Sequence, residues 1–148
     1  MALKLSTGLR NAMLDSSSLK GAMDGSVIRL YAGNEPSTAD AALDSATLLC
    51  EVSVNGDGTG VTLAASAQNA AITKNPNESW FGEVLTSGTA TFFRMVIPAN
   101  DDGTLSTTQQ RIQGTVAAAG GDAYIANPSL VQGESQSLDY LTFALPSA

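Results

Sequence analysis

Histidine is absent from the chain, and cysteine occurs once, at Cys50. Without histidine the chain has no Ser-His-Asp or Cys-His catalytic set, and it lacks the imidazole of the usual zinc sites. A single cysteine excludes an intramolecular disulfide and a thiolate metal site. Cys50 lies in the apolar run TLLCEV, which favours a buried small hydrophobic residue over a reactive thiol.

Charged residues are also scarce. They make up 14% of the 148 residues, against 43% hydrophobic residues, whereas about 25% charged residues is usual. A disordered acidic chain has many charges and few apolar residues, so the composition predicts a folded domain with a largely uncharged surface. Such a surface is easily desolvated, which indicates a protein that works within an assembly.

Basic residues are the rarer charged class. The net charge is −7, and the seven Lys and Arg residues are scattered, which argues against nucleic-acid binding, because Lys and Arg supply most of its affinity. We predict no membrane span, since no run of 18 apolar residues occurs. The beginning, MALKLSTGLRNAM, has no continuous apolar stretch, so we expect no signal peptide.

Helical periodicity is confined to the first residues, LSTGLRNAMLDSSSLKGAMDG. Ser6 is placed to cap one short helix, and the segment DSSS at 15–18 can cap a second short helical turn. Helices this short are marginal in water, so the arm packs either on the chain's own β-domain or on a neighbouring subunit. The candidate partner-binding residues are the members of its apolar face: Leu5, Leu9, Met13, Leu19 and Met23.

Short runs rich in β-branched and aromatic residues follow the arm, separated by turns of Gly, Asn, Asp and Ser. We interpret them as antiparallel strands, because no helical segments alternate with them. The sequence predicts an all-β fold: an antiparallel β-sandwich of jelly-roll or immunoglobulin-like character over residues 26–148, with a helical arm over residues 1–25. The clearest runs are SVIRLYAG, ATLLCEVSV, ESWFGEV, GTATFFRMVIP, TTQQRIQGTVA and SQSLDYLTFALP.

Two of these runs carry more detailed predictions. GTATFFRMVIP has apolar residues on both faces, which is typical of a central strand covered on each side. Gly114 interrupts RIQGTVA and indicates a bulge or a close approach of another segment.

The turn NGDGTG resembles the start of a calcium loop. Asn55, Asp57 and Thr59 stand at alternate positions, but the twelfth position holds Ser66, where a bidentate acid is needed. The segment is interpreted as a hairpin turn, and no metal site or cofactor is predicted. The other acids lie mostly in Gly- and Ser-rich turns and are expected to be solvated. An enzyme is therefore not expected.

Arg94 and Arg111 are unusual because both lie inside predicted strands. A buried arginine needs a partner, since an unpaired buried charge is costly. Glu83 and Asp139 are the candidate partners. We favour this structural pairing over a role in ligand binding.

Four segments together resemble a family of small structural proteins of tailed bacteriophages: LSTGLRNAMLDSSSLKGAMDGSVIRLYAG, GTATFFRMV, RIQGTV and LDYLTFALPSA. The resemblance covers nearly the whole chain in order. It implies a non-enzymatic virion protein, most of all a capsid decoration (cement) protein that stabilises the head lattice. The implied partner is the phage major capsid protein, with a homo-oligomer on the particle. The implied location is the capsid surface of the virion, after synthesis in the host cytoplasm.

Two alternatives remain open. The protein is a tail or neck component of the same particle, or it is a glycan-binding β-sandwich used in host attachment. For the second alternative, Trp80, Phe81, Tyr31 and Tyr124 are the candidate stacking surfaces, although aromatic residues make up only 5% of the chain.

Overall fold

Strands dominate the regular structure of residues 3–145, the part of the chain that the computed structural model describes. Its two helices are α1 (Thr7–Asp15) and α2 (Leu19–Met23). Its strands are β1 (Lys4–Leu5), β2 (Val27–Ala32), β3 (Thr47–Val54), β4 (Ala71–Thr73), β5 (Trp80–Glu83), β6 (Gly88–Thr89), β7 (Phe92–Val96), β8 (Arg111–Ala117), β9 (Ala123–Tyr124), β10 (Ser129–Leu130), β11 (Ser135–Ser137) and β12 (Thr142–Ala144).

The main sheet has eight strands, in the order β1-β8-β7-β2-β3-β5-β11, with β9 added beside β8. All pairs are antiparallel except β8 with β9. Two smaller antiparallel pairs join β6 to β10 and β4 to β12. The predicted all-β antiparallel class is confirmed, and the jelly-roll or immunoglobulin-like sandwich stays a prediction.

Strand β7 is an interior strand of the sheet, with β8 on one side and β2 on the other. All five of its residues are buried. Phe93 and Met95 belong to the hydrophobic core, whereas Arg94 points to the other face, which the chain covers with loops. The apolar alternation on both faces therefore predicted a central strand correctly.

The hydrophobic core lies on the Phe93 face of the sheet. Cross-strand register places Phe93 opposite Leu30, and Met95 between Ile28 and Ile112. Leu9 from α1 and Met23 from α2 join the same cluster. Its other large members are Leu49, Val52, Val61, Leu63, Trp80, Val84, Val116, Ile125, Leu130, Leu138, Leu141 and Phe143.

Gly114 marks a close approach, as one of the two sequence interpretations expected. A Cβ atom there would stand 2.8 Å from the Phe93 ring and 2.9 Å from the Asp122 side chain. Phe93 pairs with Gly114 across the strands, so the missing side chain makes room for the aromatic ring. The β2–β3 register shifts instead at Leu30 and Tyr31, which pair with Cys50 and Leu48, so Leu49 is the extra residue on β3.

The predicted arm begins with a strand and continues into the two helices. β1 pairs with β8, α2 ends at Met23, and the next strand starts at Val27. The two predicted segments, 1–25 and 26–148, extend slightly beyond the described residues. Residues 1–2 of the first and 146–148 of the second lie outside them. Neither helix of the described chain is long and apolar enough to cross a membrane.

Candidate functional site

The cap of helix α1 fastens the arm to the sheet. The Ser6 hydroxyl oxygen accepts a hydrogen bond from the backbone N–H of Leu9 (3.2 Å), as predicted, and a second from the N–H of Arg111 (2.8 Å). The same hydroxyl donates to the carbonyl of Gln109 (2.7 Å). Within the segment DSSS, which was predicted to cap a second helical turn, Ser18 caps α2 by accepting from the N–H of Gly21 (2.9 Å). The Ser6 hydroxyl thus caps α1 and also connects this helix to β8.

Asp40 adds a second contact at the beginning of α1. Its carboxylate accepts from the backbone N–H (2.8 Å) and the hydroxyl (2.6 Å) of Thr7. Burial raises the pKa of Asp40, but the Thr7 hydrogen bonds and the charges of Arg10 and Arg111 outweigh it, so the pKa lies below its ordinary value. A carboxylate at this position also interacts favourably with the positive, N-terminal end of the helix dipole.

The five predicted partner-binding residues of the arm all pack against the chain's own core. Leu9 and Met23 are fully buried, and Leu5, Met13 and Leu19 are half-buried against the same cluster. They contact another subunit only if the arm leaves this core, so their role in binding a partner stays a prediction. The arm exposes a different apolar side chain to solvent, Leu14, at 85%.

The two strand arginines are buried, but their partners differ from those expected. Arg111 binds the carboxylate of Asp101 with two hydrogen bonds, from Nε (2.5 Å) and from Nη2 (2.9 Å). Glu83 and Asp139, the predicted partners, are both exposed. The expectation that acids in Gly-rich turns are solvated is therefore wrong for Asp101, which is buried beneath its turn.

Arg94 lies beside this pair and is held mainly by neutral groups. Its Nε donates to Gln113 (2.8 Å) and its Nη2 to the carbonyl of Ala41 (2.6 Å), while Nη1 has no hydrogen-bond partner among residues 3–145. Burial, with the nearby charge of Arg111, lowers the pKa of Arg94 to about 10. The arginines bind loops of the chain itself, which supports the structural role that the sequence favoured.

The four aromatic residues proposed as stacking surfaces do not form a site. Trp80 is 2% exposed and belongs to the core, and Tyr31 is buried with its ring stacked on Phe92, at 5.1 Å between centroids. Phe81 is half-buried, and Tyr124 is exposed. Two of the four side chains are thus occupied by internal packing, so a glycan site built on these four residues is ruled out.

The calcium-like turn forms a turn, as predicted. Asn55 and Gly56 both have positive φ, at 55° and 68°, and the Asp57 carboxylate accepts from the N–H of Thr59 within the turn itself (2.8 Å). Within residues 3–145, no group of three or more His, Cys, Asp or Glu side chains is arranged to hold a metal ion.

An open groove of about 830 Å³ lies between α2, the segment 62–69 and β4. Lys20 is the charged side chain among its described lining residues, and it is bound to Asp24 (2.7 Å). The polar lining consists of hydroxyl and amide side chains: Thr62, Ser66, Gln68, Asn69, Thr73, Asn75 and Asn77. This groove was not predicted from the sequence, although the uncharged run TLAASAQNAAIT was a visible signal.

Backbone pairing orders the floor of the groove. β4 pairs with β12, and Lys74, the residue after β4, forms a bridge with Leu63. The N–H of Lys74 donates to the carbonyl of Leu141 (3.0 Å), which continues the β4–β12 pairing and sets Tyr140 opposite Asn75. Tyr140 is 73% exposed, and the register places it on the same face of the strand pair as Asn75, which lines the groove.

A carboxylate beneath the groove fixes its polar side chains. Glu78 accepts from the N–H (2.9 Å) and hydroxyl (2.7 Å) of Thr62 and from the indole N–H of Trp80 (2.9 Å). The Thr62 hydroxyl oxygen in turn accepts from the Asn75 amide (3.0 Å). Burial raises the pKa of Glu78, but these hydrogen bonds and the Lys74 charge hold it below its ordinary value.

A second notable region, which we call the uncharged surface, consists of residues 84–91, 115–121 and 123–133. These segments contain no charged residue, and Asp122, which separates the second from the third, is half-buried and accepts a hydrogen bond from the N–H of Thr115 (3.0 Å). Hydrogen bonds join them, from Ala90 N to Pro128 O (2.9 Å) and from Gln132 N to the Ser87 hydroxyl (2.9 Å). The exposed large apolar side chains within it are Leu85, Tyr124 and Val131.

Comparison of the chain with protein-family models, with curated proteins and with solved structures returns no match.

Proposed function

We propose that the chain is a non-enzymatic structural protein of a tailed bacteriophage particle, and that it decorates the capsid and stabilises the head lattice through protein–protein contacts. The observation that carries the proposal is the uncharged surface, where three exposed apolar side chains lie among segments without charge. The cores of protein–protein interfaces are depleted of charged residues and enriched in aromatic ones. The resemblance to small structural proteins of tailed bacteriophages suggests that the assembly is a phage particle.

Electrostatics favours the uncharged surface as the attachment point. The chain carries a net charge of −7, so contacts through its acidic regions bring like charges together between neighbouring copies. Attachment through the uncharged surface avoids that repulsion and leaves the acids in solvent. In this proposal the partner is the major capsid protein, the copies form a symmetric homo-oligomer on the particle, and the location is the capsid surface of the virion.

Capsid binding by surface variants tests the proposal. Leu85 and Val131 are about half exposed, at 52% and 50%, so Leu85→Glu and Val131→Glu place a charge on the uncharged surface without entering the core. We expect both to reduce co-sedimentation with capsids that lack the protein at least tenfold. The matched control is Leu105→Glu, which changes an exposed leucine in another loop and leaves binding unchanged.

Two results would overturn this assignment. Equal binding by the wild-type protein and both uncharged-surface variants would remove the role of that surface. Labelled protein found at the neck or tail rather than over the head would contradict capsid decoration and support a role as a tail or neck component.

A further inference from the structure

We propose that the open groove binds a neutral carbohydrate, with Tyr140 stacking on a sugar ring and the amide side chains of the groove hydrogen-bonding its hydroxyl groups. The site is separate from the uncharged surface, so the inference stands independently of capsid attachment. Its volume of about 830 Å³ falls within the usual range of ligand sites, about 300–1,000 Å³.

The charge of the groove selects a neutral ligand. Lys20 is the charged side chain lining the described part of the groove, and its ammonium group already binds the Asp24 carboxylate (2.7 Å) and the Leu63 carbonyl (3.0 Å). An anionic ligand therefore finds no available cation there. A cationic ligand finds no carboxylate in the lining, because Glu78 lies beneath it with both oxygens bonded to Thr62 and Trp80.

The hydrogen-bonding groups match sugar hydroxyls. The side-chain amides of Gln68, Asn69 and Asn77 make no hydrogen bond to other groups within residues 3–145 and line the groove. Each amide offers donors and an acceptor side by side, and a sugar hydroxyl also donates and accepts. Asn75 is held by its bond to Thr62 (3.0 Å), so part of the site is ordered before the ligand binds.

Tyr140 supplies the apolar contact. Its side chain is 73% exposed and stands opposite Asn75 in the continuation of the β4–β12 pairing. A tyrosine ring combines an apolar face with a polar hydroxyl, which suits the C–H face and the hydroxyl groups of a pyranose. The stacking residue therefore differs from the four aromatic residues that the sequence suggested.

Titration with three neutral oligosaccharides tests the inference: cellotetraose, maltotetraose and chitotetraose. We expect at least one to bind with a Kd below about 1 mM, measured by calorimetry or by NMR shifts of the groove amides. For that sugar, Tyr140→Ala and Asn77→Ala each weaken binding at least tenfold. The matched control is Tyr124→Ala, which removes an exposed tyrosine of the uncharged surface and leaves sugar binding unchanged.

Three outcomes would overturn the carbohydrate site. They are the absence of binding by all three sugars, equal binding by Tyr140→Ala and wild-type protein, and preferential binding of the acidic tetragalacturonate. Thermal unfolding of Tyr140→Ala at the wild-type temperature shows that a loss of binding is local. Capsid co-sedimentation of the same variant stays at the wild-type level, which separates this inference from the proposed decoration role.

Discussion

Arg111 and Asp101 form a buried, doubly hydrogen-bonded ion pair, with side chains 0% and 1% exposed. The same guanidinium donates to the carbonyls of Ala39 (3.0 Å) and Thr104 (2.7 Å). One side chain of β8 thus holds the segments 33–46 and 98–110 against the sheet. Because two long segments converge on it, the pair organises the polar face of the fold.

Removal of one partner of this pair is expected to destabilise the protein strongly. Asp101→Asn leaves the Arg111 charge buried without its counter-ion, and such changes cost about 3–5 kcal/mol. Urea unfolding measures the loss. The matched control is Asp102→Asn, since the exposed Asp102 carboxylate bonds only within its own turn, to Thr104. A loss for Asp101→Asn no larger than that for Asp102→Asn would contradict the structural role of the pair.

The helical arm is expected to be part of the folded core. Leu9→Ala and Met23→Ala each remove a fully buried side chain and cost about 2–5 kcal/mol, whereas Leu14→Ala at an exposed site changes stability by less than about 0.5 kcal/mol. Deletion through Asp24 should unfold or aggregate the protein. A truncated chain that folds and no longer binds capsids would instead support the detachable anchor formed by the five predicted arm residues.

The sequence was informative where a local pattern determines the structure. Runs rich in β-branched and aromatic residues placed β2, β3, β7 and β8. Ser6 and the segment DSSS marked both helix starts, because capping depends on neighbours along the chain. The partner of Arg111 depends on how a loop folds over the sheet. Asp101 therefore looked like a solvated turn residue, and Glu83 and Asp139 looked like better partners.

The candidate sites were largely hidden for a related reason. The groove combines α2, the segment 62–69 and β4, which only the tertiary fold brings together. Tyr140 was visible as an aromatic residue, but its exposure was not. Trp80 looked like a binding residue because tryptophan is frequent in binding sites, yet the core needed its large apolar surface.

Ala70 is expected to be a site of stored backbone strain. It has a φ of 61° in the tight turn that connects Gln68 to Ala71, and its side chain is exposed. Because glycine adopts this conformation without steric cost, Ala70→Gly should stabilise the protein by about 0.5–1 kcal/mol. The neighbouring Ala71→Gly, in β4, should destabilise it. Both effects are measured by thermal unfolding, and a loss of stability in Ala70→Gly would contradict the strained conformation.

Glu78 is expected to make stability depend on acid pH. Its folded pKa lies below the ordinary value, because hydrogen bonds from Thr62 and Trp80 outweigh burial. The ionised form therefore stabilises the fold above about pH 4.3, and this contribution is lost as the pH falls through the folded pKa. The difference in Tm between wild-type protein and Glu78→Gln should narrow between pH 7 and about pH 3. A difference that stays constant would refute this.

Cys50 is expected to be unreactive in the folded protein. Burial, with a smaller effect of Glu51, raises the pKa of its thiol to about 11, so only about one molecule in a thousand carries a thiolate at pH 8. Ellman's reagent should detect no thiol in the native state and one per chain in concentrated guanidinium chloride. Rapid reaction of the native protein would show that the site opens to solvent.

The copy number of this chain in purified phage particles tests the central claim most directly. Quantitative mass spectrometry, scaled to the major capsid protein, gives that number for each virion. A decoration protein of the head lattice should be present in hundreds of copies. A handful of copies would place the protein at the neck or tail tip, and its absence from the particle would contradict a virion role altogether.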